Sequence, residues 1–355
     1  SLIKLTIGED NGEEVRMVEA LKNIIPIGRY TFSKGYITQD VIQQTITILN
    51  RYKHILEEYA ITNVVAIATT AVREARNSDI FLDMIFRETG FDIQILTVGD
   101  TVYYVDAFLS HAIKGRYPIQ EKNLLIAELG TGSLDISVLE KGRMVVNLEL
   151  SLGTSRLLQL IDKLEGSFLE NYEAVKDYIE KEFHYLTHSL PNIKIDDVIL
   201  IDENYSLYLP HIIPQRRSES KFYKLNKKES EHILDELSDR TSDEITRIFK
   251  LPFEMADTIT AYAMILNLLL KMCRKNHIYI LEASLSESIL ANLLLGGKLA
   301  EERNRMSQLE SMITFFCNKY NVDFNHAQHV SSLSQRIFDQ LKEQLGLGDE
   351  DAIYL

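Results

Sequence analysis

Apolar and polar side chains alternate from Leu2 to Ile7, the period of a half-buried strand, and Gly8-Glu9-Asp10-Asn11-Gly12 supplies a turn before a return strand over Glu14–Leu21. The period then changes. Ile42, Ile46, Leu49 and Leu56 recur at helical spacing behind the capping sequence Thr38-Gln39-Asp40, which predicts a helix to about Tyr59. Asn63–Thr69 is a short β-branched apolar run and reads as a buried strand. A helix over Ala71–Arg87, broken near Asn77-Ser78, is followed by a strand at Asp92–Thr97 and a helix at Asp100–Lys114.

Tyr117-Pro118 marks a boundary. Beyond it, Asn123–Glu128, Leu134–Glu140 and Arg143–Leu150 predict three strands, joined by a Gly130-Thr131-Gly132-Ser133 turn and a Lys141-Gly142 hairpin. Helices at Ser155–Leu164 and Glu170–Leu186, a strand at Val198–Ile201, helical pattern over Lys227–Cys273 and a strand at His277–Leu281 follow. Helices at Ser284–Leu294 and Leu299–Tyr320 lead to a last amphipathic helix at Phe324–Leu345. A strand–turn–strand opening that runs on into helices thus occurs twice, from Leu2 and from Asn123. Two such halves predict an α/β protein with two RNase H-like lobes around a cleft, the design of actin, the sugar kinases and the heat-shock ATPases, plus a helical C-terminal extension. The expected division is 1–117 for the first lobe, completed by helices after 282, then 118–281 for the second and 298–355 for the extension. In that design a glycine-rich turn grips phosphate, because exposed backbone N–H groups make an anion nest and glycine permits close approach.

Composition narrows the chemistry. The 355 residues carry 38 Lys+Arg against 52 Asp+Glu, a net charge of −14, which argues against nonspecific nucleic-acid binding. It does not exclude a polyanionic ligand met locally by turn amides, one arginine and a metal. The 2 cysteines, Cys273 and Cys317, form no CxxC pair and fall on apolar helix faces, which excludes a disulfide framework and a thiolate zinc cluster and fits core residues in a reducing, cytoplasmic setting. The most apolar stretch, Ala263–Leu270, is short of the roughly 20 residues of a membrane span.

Four stretches in order resemble the exopolyphosphatase / guanosine pentaphosphate phosphohydrolase (Ppx/GppA) family. They are Ala68-Thr69-Thr70-Ala71-Val72-Arg73-Glu74-Ala75-Arg76-Asn77, Thr89–Thr97, Glu128-Leu129-Gly130-Thr131-Gly132-Ser133-Leu134-Asp135 and Ser151–Leu157. The resemblance implies hydrolysis of a terminal phosphoanhydride of polyphosphate or guanosine pentaphosphate by metal-assisted attack of water. It implies phosphate binding by Arg73 and by Gly130, Thr131, Gly132 and Ser133, with Glu128 and Asp135 as ligands of Mg2+ or another divalent cation. The family's first phosphate loop would precede Ser1. The sequence also departs from the family pattern. The paired glutamates, the second of them the general base, are replaced by Thr101 and Val102, and a following arginine by Tyr104. A later Gly-Gly turn is replaced by Asp202-Glu203-Asn204. Asp323–Val330 resembles the opening helix of an HD-type domain, which some long members of the family carry.

Each site residue also has a plainer reading. The Gly130–Ser133 turn serves equally as a hairpin turn, and Arg73 as a helix-surface arginine. Asp100, the carboxylate nearest the missing base, sits where a helix cap is wanted. Pro214–Lys228, with Arg216, Arg217, Lys221, Lys224, Lys227 and Lys228, reads as a solvated loop before a helix capped by Asn226, or as a patch that steers a polyanion. His326 and His329, one turn apart, read as surface or capping residues. Asp257 and Glu287 occupy family positions without a defined role. The alternative function is a non-catalytic sensor of polyphosphate or a guanosine nucleotide coupled to an HD-type domain. A third possibility is a relic that only oligomerises, and the helical tail suits a homodimer.

Overall fold

In the computed structural model, the residues described are 2–11, 15–165, 167–213, 220–302, 313–314, 317, 320–348 and 352. The chain opens with an antiparallel ribbon, β1 (Leu2–Asp10) and β2 (Val15–Ile24), with a register shift at Ile7/Gly8. Helices α1 (Ile27–Lys34) and α2 (Gln39–Glu58) follow, then β3 (Ala66–Ala68), α3 (Thr70–Arg73), α4 (Ser78–Thr89), β4 (Ile93–Ile95) and α5 (Val98–Ala112). The helix break near Asn77-Ser78 is present, and the Asn77 side chain explains it. Its amide donates to the Ile37 carbonyl and its oxygen accepts from the Ile37 N–H, both at 2.9 Å, so Asn77 ties two segments together instead of extending α3.

The second half is built on β5 (Asn123–Leu129), β6 (Leu134–Glu140), β7 (Arg143–Leu150), β8 (Asp197–Ile201), β9 (Phe222–Asn226) and β10 (His277–Leu281). These form one sheet in the order β7-β6-β5-β8-β10-β9, with β5, β8 and β10 parallel. Lys141 and Gly142, both at positive φ, make the two-residue β6–β7 turn that their sequence predicts. One face of the sheet packs on α6 (Thr154–Asp162), α7 (Phe168–Ser189), α8 (Leu209–Ile212), α9 (Lys227–Ser238), α10 (Ser242–Phe249) and α11 (Phe253–Met272). The other face packs on α5 through Val102, Val105, Leu109 and Ile113. Helix α12 (Leu285–Glu302) lies against α5 and β1, and α13 (Phe324–Leu345) follows. Within α11, Met255–Met272 is long and apolar enough to cross a membrane, and 61% of it is buried inside the fold.

The structure differs from the sequence expectation at several points. The run Asn63–Thr69, read as a buried strand, is a strand only at Ala66–Ala68, where it is half-buried, and Val64 and Val65 before it are exposed. Strand β9 occupies part of the stretch read as a basic loop: Phe222–Asn226 pairs antiparallel with β10, while Arg216 and Arg217 lie outside the described residues. Its alternation is masked in sequence by Lys221 and Lys224, whose long stems let charged heads reach solvent from an edge strand. The helical pattern over Lys227–Cys273 is present as three helices, α9 to α11. Finally, β1–β2 is not the counterpart of β5–β6. In the second half β5 lies between antiparallel β6 and parallel β8. In the first half β1 pairs only with β2 and β3 only with β4, with no strand joining them among the described residues.

Candidate functional site

The carboxyl ends of β5, β8 and β10 meet at one edge of the sheet, where open α/β sheets place their ligand crevice. Glu128 near the end of β5 stands directly opposite Asp135 on β6, and Asp135 stands opposite Glu149 on β7. Cross-strand partners share a face with Cβ atoms about 5 Å apart. Three acids therefore form a row on the α5-facing side. Burial pushes the Glu128 carboxyl up, and Asp135 pushes it further. Asp135 is raised by burial and by Glu149, against the pull of a Ser133 hydrogen bond and of Arg73. The Asp135 Oδ1 atom is buried with no hydrogen-bond partner among the described residues.

The Gly130–Ser133 turn connects β5 to β6 and is closed by the Gly130 N–H donating to the Ser133 carbonyl at 2.9 Å. The start of α6 holds it from behind. The Thr154 and Ser155 N–H groups donate to the Gly130 and Thr131 carbonyls at 3.1 and 2.8 Å, and Arg156 Nε donates to the Gly132 carbonyl at 2.6 Å. The approach requires glycine on both sides. A Cβ on Gly153 would sit 2.1 Å from the Gly132 carbonyl carbon, and one on Gly132 would sit 2.8 Å from Thr70 Cβ. The second contact brings the turn against the head of α3 in the other lobe.

Arg73, the last residue of α3, reaches across the same boundary. Its Nη1 donates to the Leu96 carbonyl at 2.9 Å, and its Nη2 to Thr70 Oγ1 at 3.2 Å and to both Glu149 oxygens at 3.1 and 3.2 Å. Arg156 returns a second ion pair in the opposite sense, to Glu74, and lies 4.0 Å from the centre of the Phe32 ring. Gln159 donates to the Gly28 and Arg29 carbonyls. The cleft is thus bridged near Arg73. Two cavities lie elsewhere and take no lining from Arg73 or the glycine turn: one of about 290 Å³ bordered by Lys4, Lys22, Glu203 and Glu287, and one of about 500 Å³ bordered by Phe108, Arg116, Lys221 and Phe222.

The structure brings Glu128, Asp135, Gly130–Ser133 and Arg73 to one edge. Asp100 is elsewhere employed. Thr97, not Asp100, is the N-cap of α5, and Asp100 closes a capping box by accepting from the Thr97 N–H and hydroxyl at 3.1 and 2.7 Å. Thr101 and Val102 are each 5% exposed and present no carboxylate. The Asp202-Glu203-Asn204 departure has a structural account. Asp202 accepts from the Asn204, Tyr205 and Ser206 N–H groups and so fixes the loop from within. Glu203 is caught by Lys4 and, at 2.5 Å, by Lys22; burial raises its carboxyl, but the two lysines outweigh that and hold it below its usual range.

Lys4 and Glu149 stand beside the candidate site and no family motif marks them, whereas Arg156 lies in the Ser151–Leu157 stretch and Glu203 in the Asp202-Glu203-Asn204 departure. Glu149 leaves a signal: it is a charged residue inside the strand Met144-Val145-Val146-Asn147-Leu148-Glu149-Leu150, at the position opposite Asp135. His326 and His329 lie in α13, and among the described residues no group of three or more His, Cys, Asp or Glu side chains is placed to hold a metal. Glu287 caps α12 by accepting from the Ser284 N–H at 2.9 Å, and it also pairs with Lys221. Glu128 and Asp135 nonetheless suit a hard divalent cation. They are paired oxygen donors, mutually repelling, with one orphaned oxygen, and magnesium is commonly held by one or two carboxylates completed by water and substrate phosphate.

This arrangement defines a two-lobed α/β protein with a glycine turn and paired acids at the carboxyl ends of its strands. Residues 6–296 match the Ppx/GppA phosphatase family, and the chain belongs to that family. It is 24% identical over 168 residues to the bifunctional 3-dehydroquinate synthase/phosphatase of Fusobacterium nucleatum, covering 46% of this chain and 25% of that protein. It is 28% identical over 153 residues to exopolyphosphatase 1 of Mycobacterium tuberculosis, covering 43% of each. The matched stretches thus span less than half the length of these curated relatives. Among solved structures, an exopolyphosphatase from Cytophaga hutchinsonii superposes with a TM-score of 0.71 at 19% identity, over 83% of this chain and 95% of that one. The Aquifex aeolicus Ppx/GppA family member gives 0.68 at 19% identity, with the same coverage. Likeness at this identity establishes the fold.

Proposed function

We propose that the chain binds the end of a polyphosphate or the phosphates of a guanosine nucleotide at the Gly130–Ser133 turn, and hydrolyses the terminal phosphoanhydride slowly. The observation that carries this reading is the buried Glu128–Asp135 pair beside the turn, with Arg73 facing it from the other lobe. The N–H groups of Thr131, Gly132 and Ser133 would meet phosphate oxygens, and the Arg73 guanidinium would grip two of them. Glu128 and Asp135 would hold magnesium, whose chemistry is to neutralise charge on the phosphoryl oxygens. In hydrolysis, water forms a bond to the terminal phosphorus as the bridging P–O bond breaks. The products are inorganic phosphate and a chain shorter by one unit, and the water proton must pass to a base.

That base is the weak point. Asp100 would have to leave the α5 cap to serve, and the two positions after it hold Thr101 and Val102. The same observation favours a second reading, a sensor that binds without turnover and signals to an HD-type domain. Calorimetric titration of polyphosphate and guanosine nucleotides with magnesium, with phosphate release assayed in the same samples, separates the readings. Binding with slow release supports the first and binding alone the second. Absence of binding sinks both.

A further inference from the structure

Every predicted phosphate contact lies in the cleft, and the strongest of them already has an anion. Arg73 spends its Nη2 on a carboxylate supplied by the other lobe, with both oxygens of Glu149 within 3.2 Å. A carboxylate and a phosphate are both acceptors for the same Nη2 N–H groups, so the two compete for them. The placement of Glu149 has no other evident support. It extends a row of two acids to three, an unfavourable arrangement for like charges directly opposite one another. Arg73, by contrast, does not depend on Glu149 for its position, because Leu96 and Thr70 of its own lobe anchor the guanidinium.

We propose that Glu149 is an intramolecular competitor for the Arg73 guanidinium, which a ligand must displace, and that it lowers the affinity of the site for every phosphate ligand that Arg73 holds. This rests on the phosphate-binding reading given above. Apparent affinity equals intrinsic affinity reduced by the fraction of molecules in which Arg73 is released. That fraction belongs to the free protein, so the competition lowers the affinity of every such ligand by the same factor. The molecule contains its own control. Glu74 and Arg156 bridge the same boundary with reversed polarity, and neither touches the Arg73 fork.

The test is a calorimetric titration of the full chain with tripolyphosphate and with orthophosphate, in magnesium, for the wild type, Glu149→Gln and Glu74→Gln. Glu149→Gln keeps the side-chain volume and removes the charge, so it tightens tripolyphosphate and orthophosphate by a similar factor, about tenfold, and leaves the ratio between them nearly unchanged. Adding Arg73→Ala to Glu149→Gln abolishes the gain. Glu74→Gln leaves both affinities within about twofold, as expected for one partly exposed pair. Unchanged or weaker binding by a folded Glu149→Gln, or equal tightening by Glu74→Gln, overturns the proposal, the latter because it would report cleft opening instead of competition. If Glu149→Gln does not fold, Glu149→Asp replaces it, since the shorter side chain withdraws the charge from the fork and tightens binding in the same direction; unchanged or weaker binding by Glu149→Asp then overturns the proposal. Wild-type binding without the Glu149 effect removes this inference alone. No binding by either protein removes the phosphate reading and this inference with it.

Discussion

In the second lobe, β5 is hydrogen-bonded on both sides, and the sheet runs unbroken through six strands. In the first lobe the ribbon β1–β2 and the three-residue pair β3–β4 stand as separate ladders, and their order is supplied by helices α1, α2 and α4 packed through Ile25, Ile42, Phe81 and Ile85. The difference shows where rigidity comes from in this molecule. Glu128 and Asp135 lie on strands with neighbours on both edges, and Glu149 lies on the edge strand β7 paired in register with β6, so the acid row Glu128–Asp135–Glu149 is placed by backbone pairing. The groups the first lobe contributes, Arg73 and Thr70, sit at the head of a one-turn helix and are placed mainly by side-chain contacts.

The largest effect that separates the lobes is a core truncation. Leu200, fully buried in β8, packs in the main core of the second lobe, and Leu200→Ala costs about 2–5 kcal/mol in urea unfolding. Ile95→Ala in β4, where the side chain is partly exposed, costs roughly half that or less. Equal costs would break the comparison. Next comes the close approach behind the phosphate turn. Gly153→Ala puts a methyl against the Gly132 backbone, which must shift; the variant loses about 1–3 kcal/mol and phosphate affinity falls with it, measured by melting and by titration. Unaltered affinity would show that the turn is not the phosphate contact.

The smallest effect sharpens the acid row. Glu128 has its carboxyl raised in the folded state, so the fold binds more protons there than the unfolded chain does. Its contribution to stability is present below the ordinary carboxylate range and is lost as pH rises through the raised value. The metal-free wild type therefore loses stability as pH rises from the carboxylate range towards neutrality, and Glu128→Gln flattens that slope in melting curves taken across pH. Magnesium restores the wild type at neutral pH and leaves Glu128→Gln nearly unmoved. A variant slope as steep as the wild type's would remove Glu128 from the acid row's electrostatics.

Much of the site was legible along the chain because it is local. The Gly130–Ser133 turn, its flanking acids Glu128 and Asp135, the Lys141-Gly142 hairpin and the break before α4 are each specified by residues within a few positions of one another. Strand β9 was not legible, because an edge strand with lysines that reach solvent resembles a loop. Asp100 takes the capping role that the sequence also allows: it partners Thr97, three residues away, and a capping box competes with any role in the cleft.

Period, turn chemistry and motif order along the chain were enough to specify an α/β protein of the Ppx/GppA family, since these are one-dimensional properties. Only the tertiary structure decided which charges meet. Glu149 lies 76 residues from Arg73, and Glu203 lies 199 from Lys4. No pattern of spacing specifies such pairs, because they follow from strand register and from how the two lobes close, and electrostatic contact depends on distance in space alone.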